Sequence, residues 1–200
     1  RVVAEIRLDD DPLPPPLAAH DPDEPIITVG SGSKLFWGGL RVGWIRATAP
    51  LIDRLSRRKV GLDLGSSIVS QMVAAKLVPT FAPTRADRAE LVRRRYGRLT
   101  ALLEEWLPDW TWDAPRGGLS LWVRIPEGDA DEFANVAQRH QVAVLSGPMM
   151  SPAEGHRDRL RIPYVHEAAE MEEGVRRLAR AWAAYRRVAR PRAATASVLV

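Results

Sequence analysis

The sequence predicts an α/β fold in which strands and helices both occur along most of the chain. Two short apolar segments, at residues 26–29 and 42–47, are typical of strands and flank a glycine-rich turn, and the first of these strands is expected to be buried. Apolar residues at helical spacing follow over residues 50–106. Beyond Pro108, short strand-like segments alternate with helical ones. With 46% hydrophobic residues among 200, the chain can bury one or two cores.

The first 25 residues predict little regular structure. An apolar segment, RVVAEIRL at residues 1–8, runs into the sequence DDDPLPPPLAAHDPDEP. Proline lacks an amide hydrogen and fixes its own φ angle, so a high density of proline and aspartate disfavours helices and central strands. We therefore expect residues 9–25 to form an extended surface connection to the first strand.

Three helices are predicted between the glycine-rich turn and Pro108. Residues 50–77 have helical spacing and are interrupted around residues 61–65, which indicates two helices with buried faces. A third helix is predicted from Thr84, as its N-cap, to about Trp106. Its apolar residues recur at steps of three and four: Val92, Tyr96, Leu99, Leu103 and Trp106.

The third predicted helix carries three consecutive arginines, Arg93, Arg94 and Arg95. A row of arginines can indicate a DNA-binding surface. Consecutive helical residues point in different directions around the axis, however, so three in a row cannot form one narrow basic stripe. We interpret them as part of a solvated face.

Residues 109–188 predict strands and helices in alternation. Three strands are predicted, at residues 119–125, 142–145 and 159–165. A capped helix is expected at residues 129–140, and a last helix at residues 167–187. The last helix carries one continuous apolar stripe, formed by Met171, Val175, Leu178, Trp182 and Tyr185. The tail at residues 190–200 lacks such a pattern, and we expect it to be disordered.

Charge leaves the functional class open. The net charge of +4 and the pI of about 9.9 would permit nucleic-acid binding, but the 29 basic residues are interspersed with 25 acidic ones. The absence of cysteine excludes disulfides and thiolate metal sites and is compatible with a reducing cytoplasm. The histidines lack metal-ligand spacing, so no metal site is predicted. We also expect no secretory signal and no membrane span.

Lys34 has the most informative chemistry in the chain. It is one of three lysines beside 26 arginines, and it lies in the run GSGSKLFWGGLRVGW at residues 30–44. Only lysine has an amine that can lose its proton and condense with a carbonyl. Ser31 and Ser33 offer hydroxyls, and Arg41 offers a forked donor to a phosphate. An aldehyde cofactor with a phosphate would use all four residues, whereas the alternative is an ordinary loop lysine.

The pattern SxSK followed by GLRxGW resembles the cofactor-lysine signature of fold type I aminotransferases that depend on pyridoxal phosphate. Within that family, WGGLR at residues 37–41 resembles the aminotransferase-like domain of MocR-type regulators, a branch of the GntR transcription factors. The resemblance implies that Lys34 forms the internal aldimine, a Schiff base, and acts as the proton shuttle. It also implies that Ser31, Ser33 and Arg41 hold the cofactor phosphate.

Two motifs in the second half extend this resemblance. PRGG at residues 115–118 with the following LWV resembles the small-domain motif PxGGxxxW, in which paired glycines let a strand pass close to the substrate pocket. VAVLSG at residues 142–147 resembles the family's strand and glycine turn, although the next residues, PMM, depart from it. The resemblance implies that Arg161 clamps the substrate carboxylate through a two-pronged hydrogen bond. Strand alternation puts Arg159 on the same face, so only the motif selects Arg161.

The resemblance also implies a domain organisation, the C-terminal part of a fold type I aminotransferase with a partial large-domain sheet, its helices and a small α/β domain. Residues 1–83 would belong to the large cofactor-binding domain and residues 84–108 to a bridging helix. Residues 109–188 would form the small domain, with residues 189–200 as a disordered tail.

One family residue is expected to lie outside the sequence. In this family an aspartate pairs with the pyridine nitrogen of the cofactor. The segment VAEIRLDDD resembles the family segment that lies directly C-terminal to this aspartate, so the aspartate itself would fall just before Arg1. The chain is therefore expected to be N-terminally truncated. Glu5 is the weaker alternative for this role.

Two functions stay open at this point, beside a third possibility that the chain is a degraded gene fragment that binds nothing. The domain is either a transaminase or a sensor of an amino acid or of the cofactor, attached to a winged helix-turn-helix module that residues 1–200 do not contain. The resemblance implies an amino acid or 2-oxo acid as ligand, a cytoplasmic location, and a homodimer in the full-length parent. DNA would be contacted only through the attached module.

Overall fold

A computed structural model of the chain describes residues 6–12, 14–20, 26–63 and 65–189. These residues form two compact units. Unit 1 comprises the described residues up to Leu91 together with Arg116–Gly118, and unit 2 comprises Val92–Pro115 and the described residues from Leu119 onwards. The predictions for Glu5 and for the tail at residues 190–200 lie outside the described residues.

Unit 1 contains a two-stranded antiparallel sheet, formed by β1 (Thr28–Ser31) and β2 (Gly43–Arg46). The register pairs Thr28 with Arg46 at one end and Ser31 with Gly43 at the other. The prediction that the lysine-containing turn joins two strands is therefore confirmed, although each strand is shorter or starts later than its apolar segment. The prediction that the first strand is buried is wrong, since Ile27 and Val29 are each 50% exposed.

Two helices follow the sheet, α1 (Ala49–Asp63) and α2 (Ile68–Leu77). The second begins with Ser67 as N-cap, whose hydroxyl accepts a hydrogen bond from the amide of Ser70 at 3.2 Å. Both helices were predicted, but their buried faces were not confirmed, because neither helix has a buried residue. Large apolar side chains are exposed at Val60, Leu62, Ile68, Val69 and Met72. Helices with this much apolar surface normally pack against other structure, and the described residues of unit 1 leave that surface uncovered.

The long helix α3 (Phe81–Trp106) begins earlier than predicted, directly after a 3-10 turn at Val78–Thr80. The prediction that Thr84 is the N-cap is wrong. Pro83 lies in the first turn of the helix, where an amide hydrogen would have no helical acceptor, so proline is tolerated there. The helix passes from unit 1 into unit 2 between Leu91 and Val92.

The PRGG motif pairs with the start of the described chain, a contact that the sequence did not suggest. Arg7 and Gly117 form an antiparallel bridge, and Gly118 donates its amide hydrogen to the carbonyl of Ile6 at 2.9 Å. A side chain at Gly117 would collide with the backbone of Ile6. Arg116 pairs with Asp9 at 2.9 Å, and this bond, aided by Arg7, holds the pKa of the Asp9 carboxyl below its usual value. Gly117 thus allows close packing of two backbone segments.

Unit 2 contains a four-stranded antiparallel sheet of order β3-β4-β6-β5. The strands are β3 (Thr111–Trp112), β4 (Ser120–Arg124), β5 (Leu145–Ser146) and β6 (Arg159–Pro163). The predicted strand at residues 142–145 is wrong in extent, because the chain is still turning at Gln141, which has a φ of 60°, and only Leu145 and Ser146 are paired.

The helices of unit 2 are α4 (Ala130–Arg139), α5 (Gly147–Met150) and α6 (Ala168–Ala189). The predicted cap of α4 is confirmed, since the Asp129 carboxylate accepts hydrogen bonds from the amides of Asp131 and Glu132. The predicted stripe of α6 is also confirmed. Its five members are all buried: Met171, Val175, Leu178, Trp182 and Tyr185.

An aromatic cluster occupies the core of unit 2. Trp110, Phe133 and Trp182 meet edge to face with ring centroids 5.4 to 5.6 Å apart, and Tyr185 stacks on Trp182. The Tyr185 hydroxyl accepts a hydrogen bond from the amide of Asp129 at 2.9 Å. This bond fixes the N-terminal end of α4 against α6.

Arg95 differs from the solvated arginine that the sequence predicted. Its guanidinium donates to the carbonyl of Val165 at 2.6 Å and pairs with Glu167, and its side chain is only 16% exposed. Arg95 therefore ties α3 to the segment between β6 and α6. None of the described helices is both long and apolar enough to cross a membrane.

Two glycines of unit 2 should respond in opposite directions to the same change. A Cβ at Gly147 would collide with the backbone of His156, whereas a Cβ at Gly174, inside α6, meets nothing within 4 Å. We expect Gly147→Ala to lower the free energy of unfolding by about 1–3 kcal/mol through overpacking. We expect Gly174→Ala to raise it by about 0.5–1 kcal/mol through helix propensity. Urea denaturation measures both, and equal effects would contradict the packing at Gly147.

Tyr164 should make unit 2 sensitive to alkaline pH. Its side chain is fully buried, its hydroxyl has no hydrogen-bond partner within the described part of the chain, and burial raises its pKa to about 12. An unfolded tyrosine ionises near pH 10, so the stability is complete below pH 10 and falls as the pH rises towards 12. We expect Tyr164→Phe to remove about 1.4 kcal/mol of this loss at pH 11, where the unfolded tyrosine is mostly ionised and the buried one is not. Denaturation curves at pH 9 and pH 11 test it, and parallel losses in both proteins would refute it.

Candidate functional site

The turn that contains Lys34, residues 32–42, is closed by the two strands of unit 1. The amide of Gly32 donates to the carbonyl of Val42 at 3.1 Å, which continues the pairing of β1 and β2 by one step. Leu35 and Leu40 are buried, at 3% and 2% exposure, and anchor the turn. Lys34 lies next to the buried Leu35 but is itself exposed. The turn thus presents the amine on a fixed backbone. We refer to residues 31–42, which are this turn and the last residue of β1, as the lysine turn.

Ser31 and Ser33 lie at the start of the lysine turn, as the sequence predicted. Ser31 is the last residue of β1, and its Oγ accepts a hydrogen bond from the amide of Ser33 at 3.2 Å. Both side chains are half-buried. A serine hydroxyl that accepts one hydrogen bond can still donate its own hydrogen, so Ser31 keeps a donor for an anion.

Arg41 lies at the other end of the lysine turn in an uncommon backbone conformation. Its φ of 53° and ψ of 32° are in the left-handed region, which a non-glycine residue occupies at a cost. Such residues cluster at functional sites. Among the described residues, neither Arg41 nor Lys34 has a hydrogen-bond or ion-pair partner, and both are exposed. Two cations and two serines therefore come together in one turn with donor capacity for a phosphate.

Two glycines in and beside the turn make room for tryptophan side chains. The indole of Trp44 covers Gly30, its cross-strand partner, and the indole of Trp37 covers Gly39, so a side chain at either glycine would collide with a ring. Only Gly38 has open space around it within the described residues of the turn. Among these glycines, Gly38 therefore leaves the most room for a ligand to approach the backbone.

Arg88 of α3 supports the lysine turn, and the sequence did not reveal this. Its Nε donates to the carbonyl of Leu35 and its guanidinium to that of Phe36, both at 3.3 Å. These two carbonyls follow Lys34 directly. The contact joins residues more than 50 positions apart, and no sequence motif marks it.

Arg161 lies in unit 2, in the middle of β6. Its Nε donates to the Ser120 hydroxyl on the neighbouring strand β4 at 2.9 Å, and it forms no ion pair with any described residue. Arg159 shares its face, as alternation predicted, but lies 3.9 Å from Asp158, which Arg124 contacts at 2.7 Å. Arg161 is therefore the arginine of this strand whose charge stays available. Ser120 orients the Arg161 side chain. The sequence did not point to Ser120, because this residue lies diagonally opposite Arg161 on the neighbouring strand.

The fold and these residues define a class of protein, and comparison with known proteins establishes it. The model of the family "Aminotransferase class I and II" matches residues 7–178. The chain therefore belongs to the class I and II aminotransferase family, whose fold is the fold type I of pyridoxal-phosphate proteins. Lys34, Ser31, Ser33, Arg41 and Arg161 all lie inside the matched range.

Individual relatives include both enzymes and regulators. The chain is 32% identical over 186 residues to aromatic-amino-acid aminotransferase 1 of Thermococcus litoralis, covering 88% of this chain and 43% of that protein. It is 31% identical to the HTH-type transcriptional regulator YdfD of Bacillus subtilis, covering 82% of this chain and 35% of that protein. Its structure resembles that of LysN, the alpha-aminoadipate aminotransferase of Thermus thermophilus, with a TM-score of 0.82 and 26% identity, covering 92% of this chain and 49% of LysN.

The chain spans less than half the length of the relatives that it matches. The range matched by the family model includes the lysine turn and the strand that carries Arg161. The relatives thus confirm the α/β fold and the family that the motifs predicted, while the roles of the individual residues stay predictions.

The two hydrogen bonds from Arg88 should hold the backbone that carries Lys34. We expect Arg88→Ala to raise the hydrogen-exchange rate of amides in the lysine turn about tenfold, which corresponds to about 1.4 kcal/mol of local stability. Hydrogen exchange followed by mass spectrometry measures it. Arg57→Ala, at an exposed position of α1, is the control and should leave the turn unchanged. Equal exchange in both variants would show that the turn does not depend on Arg88.

Proposed function

We propose that this chain is part of a pyridoxal-phosphate-binding, aminotransferase-like domain in which Lys34 attaches the cofactor. The observation that carries the proposal is the lysine turn, where an exposed, unpaired amine lies in one turn with two serines and an unpaired arginine. Family membership supports it. So does LysN, whose structure contains N-(5'-phosphopyridoxyl)-L-leucine.

The residues of the lysine turn fit such a group chemically. When bound, pyridoxal phosphate supplies an aldehyde and a ring that withdraws electrons from the carbon next to an amine. Ser31, Ser33 and Arg41 would hold the phosphate by charge-assisted hydrogen bonds. The amine of Lys34 would hold the aldehyde, and the same amine could move a proton at the α-carbon of a bound amino acid.

We further propose that Arg161 binds the α-carboxylate of an amino acid or of a 2-oxo acid. A guanidinium presents parallel N–H groups that match the two oxygens of a carboxylate. The bond from Nε to Ser120 leaves the terminal nitrogens for the ligand and restrains the side chain. Because no ion pair with a described residue competes for it, the arginine does not have to give up a partner when the ligand binds.

The second candidate function is an effector-sensing domain of a MocR-type regulator. Two observations favour it: the sequence WGGLR at residues 37–41, and relatives that are HTH-type transcriptional regulators, such as YdfD and NorG. In this case the same residues bind the ligand, and DNA is contacted by a module outside these 200 residues. Production of a 2-oxo acid from an amino acid distinguishes the enzyme from a sensor, which binds without turnover.

The broader setting belongs to the same proposal. We propose a cytoplasmic homodimer, for which the exposed apolar side chains of α1 and α2 provide surface. We also propose that residues 1–83 belong to the large cofactor-binding domain, that residues 84–108 form a bridging helix, and that residues 109–188 form the small domain.

The attachment point can be tested directly. After incubation with pyridoxal phosphate, borohydride should fix a pyridoxyl group on the peptide that contains Lys34, because reduction makes the bond between lysine and cofactor permanent. Lys34→Ala should abolish both the labelling and the visible absorbance of the bound cofactor. Lys59→Ala is the matched control, since Lys59 is an exposed lysine that pairs with Asp63 on α1.

Peptide mapping by mass spectrometry gives the result for each variant. Labelling at Lys59 or Lys76 instead of Lys34 would refute the assignment. Labelling that survives in Lys34→Ala would do the same.

A further inference from the structure

Arg161 lies between two apolar residues on the same face of the sheet of unit 2. Its Cα partner on β4 is Trp122, and its Cα partner on β5 is Leu145. Residues directly opposite on neighbouring strands point to the same face, with Cβ atoms about 5 Å apart. Trp122 is half-buried and Leu145 is 38% exposed, so both side chains offer apolar surface beside the guanidinium.

The indole of Trp122 is held in place by His156. The two rings meet edge to face, with centroids 5.7 Å apart and an interplanar angle of 80°. The backbone of His156 is itself fixed in the left-handed region, at a φ of 61°, where its carbonyl accepts a hydrogen bond from the amide of Arg159 and packs against Gly147. The indole therefore has a defined orientation before any ligand arrives.

The residues directly opposite Arg161 on the two neighbouring strands supply no second cation for another carboxylate. Within the described part of unit 2, the other arginines of the face, Arg124 and Arg159, lie further along the strands and are associated with Asp158. A dicarboxylate would need a second available cation close to Arg161. Instead, the indole of Trp122 lies beside Arg161 on one strand and the side chain of Leu145 lies beside it on the other.

We propose that Trp122 and Leu145 form an apolar wall on either side of Arg161 that selects amino acids with aromatic side chains over acidic ones. The inference rests on the proposed role of Arg161 as the carboxylate-binding residue. It also separates two classes that the relatives leave open, since they include an aromatic-amino-acid aminotransferase and a 2-aminoadipate transaminase. Trp122 is a specificity-determining residue and His156 a positioning residue in this arrangement.

The wall can be tested without the cofactor. The probes are 3-phenylpropionate and glutarate, which carry carboxylates but no amine and so cannot react with pyridoxal phosphate. Binding to the chain is measured by ligand-observed NMR at pH 8. We expect 3-phenylpropionate to bind about tenfold more tightly than glutarate, which corresponds to about 1.4 kcal/mol.

Four variants show which side chains cause the preference for 3-phenylpropionate. Trp122→Ala should weaken 3-phenylpropionate binding about tenfold, and Trp122→Phe should retain most of it because an aromatic ring remains. His156→Gly keeps the left-handed backbone, removes the imidazole, and should weaken binding less than Trp122→Ala does. Trp106→Ala removes an exposed tryptophan at the end of α3 and should leave binding unchanged. Circular dichroism verifies that each variant is folded.

The outcomes separate this inference from the function on which it rests. Glutarate binding as tightly as 3-phenylpropionate, or Trp122→Ala behaving like Trp106→Ala, overturns the wall. If Arg161→Gln still abolishes binding of both probes in that case, the proposed role of Arg161 stands. If Arg161→Gln binds both probes as well as the unmodified chain does, the carboxylate role fails and the wall fails with it. Absence of binding by the unmodified chain overturns both.

Discussion

The antiparallel pairing of β4 with β6 determines the arrangement of unit 2. Side chains alternate across a strand, so a single register places Leu121 and Leu160 in the core and Trp122 and Arg161 on the opposite face. A shift by one residue would exchange the two sets and bury an unpaired guanidinium, at a cost of several kcal/mol. The hydrophobic core and the presentation of Arg161 are therefore consequences of the same pairing. The aromatic cluster in the core of the unit stabilises that register.

Unit 1 relies on fewer buried contacts, and the lysine turn reflects this. Strand pairing closes the turn at Gly32 and Val42, two buried leucines anchor it, and Arg88 holds its carbonyls from the side. The left-handed backbone at Arg41 lowers the stability of this turn relative to a glycine at that position. A glycine would remove the strain but also the cation. The turn thus keeps a charge at the expense of local stability, which is common where a ligand supplies the missing interactions.

Sequence predicted most of the local structure because the signals were local. The capped α4, the apolar stripe of α6 and the two strands around Lys34 all follow from residues close together in the chain, and the motifs around Lys34 and Arg161 identified the family. The prediction of buried faces on α1 and α2 was wrong. Helical spacing shows which residues share a face, but not whether other structure covers that face. The contacts of Arg88, of Arg95 and of Gly117 join distant parts of the sequence, and no periodic pattern encodes such pairs.

The small sheet of unit 1 has a consequence for the behaviour of the chain in solution. Within the described residues, β2 pairs only with β1, so its other edge has no strand partner there. Such edges favour strand addition between molecules and hence aggregation. Arg46 lies on β2, and Lys34 and Arg41 lie at the end of the hairpin, so the hairpin carries positive charge. Like charges keep copies apart at low ionic strength, and added salt weakens that repulsion, so colloidal stability of the chain decreases as salt rises.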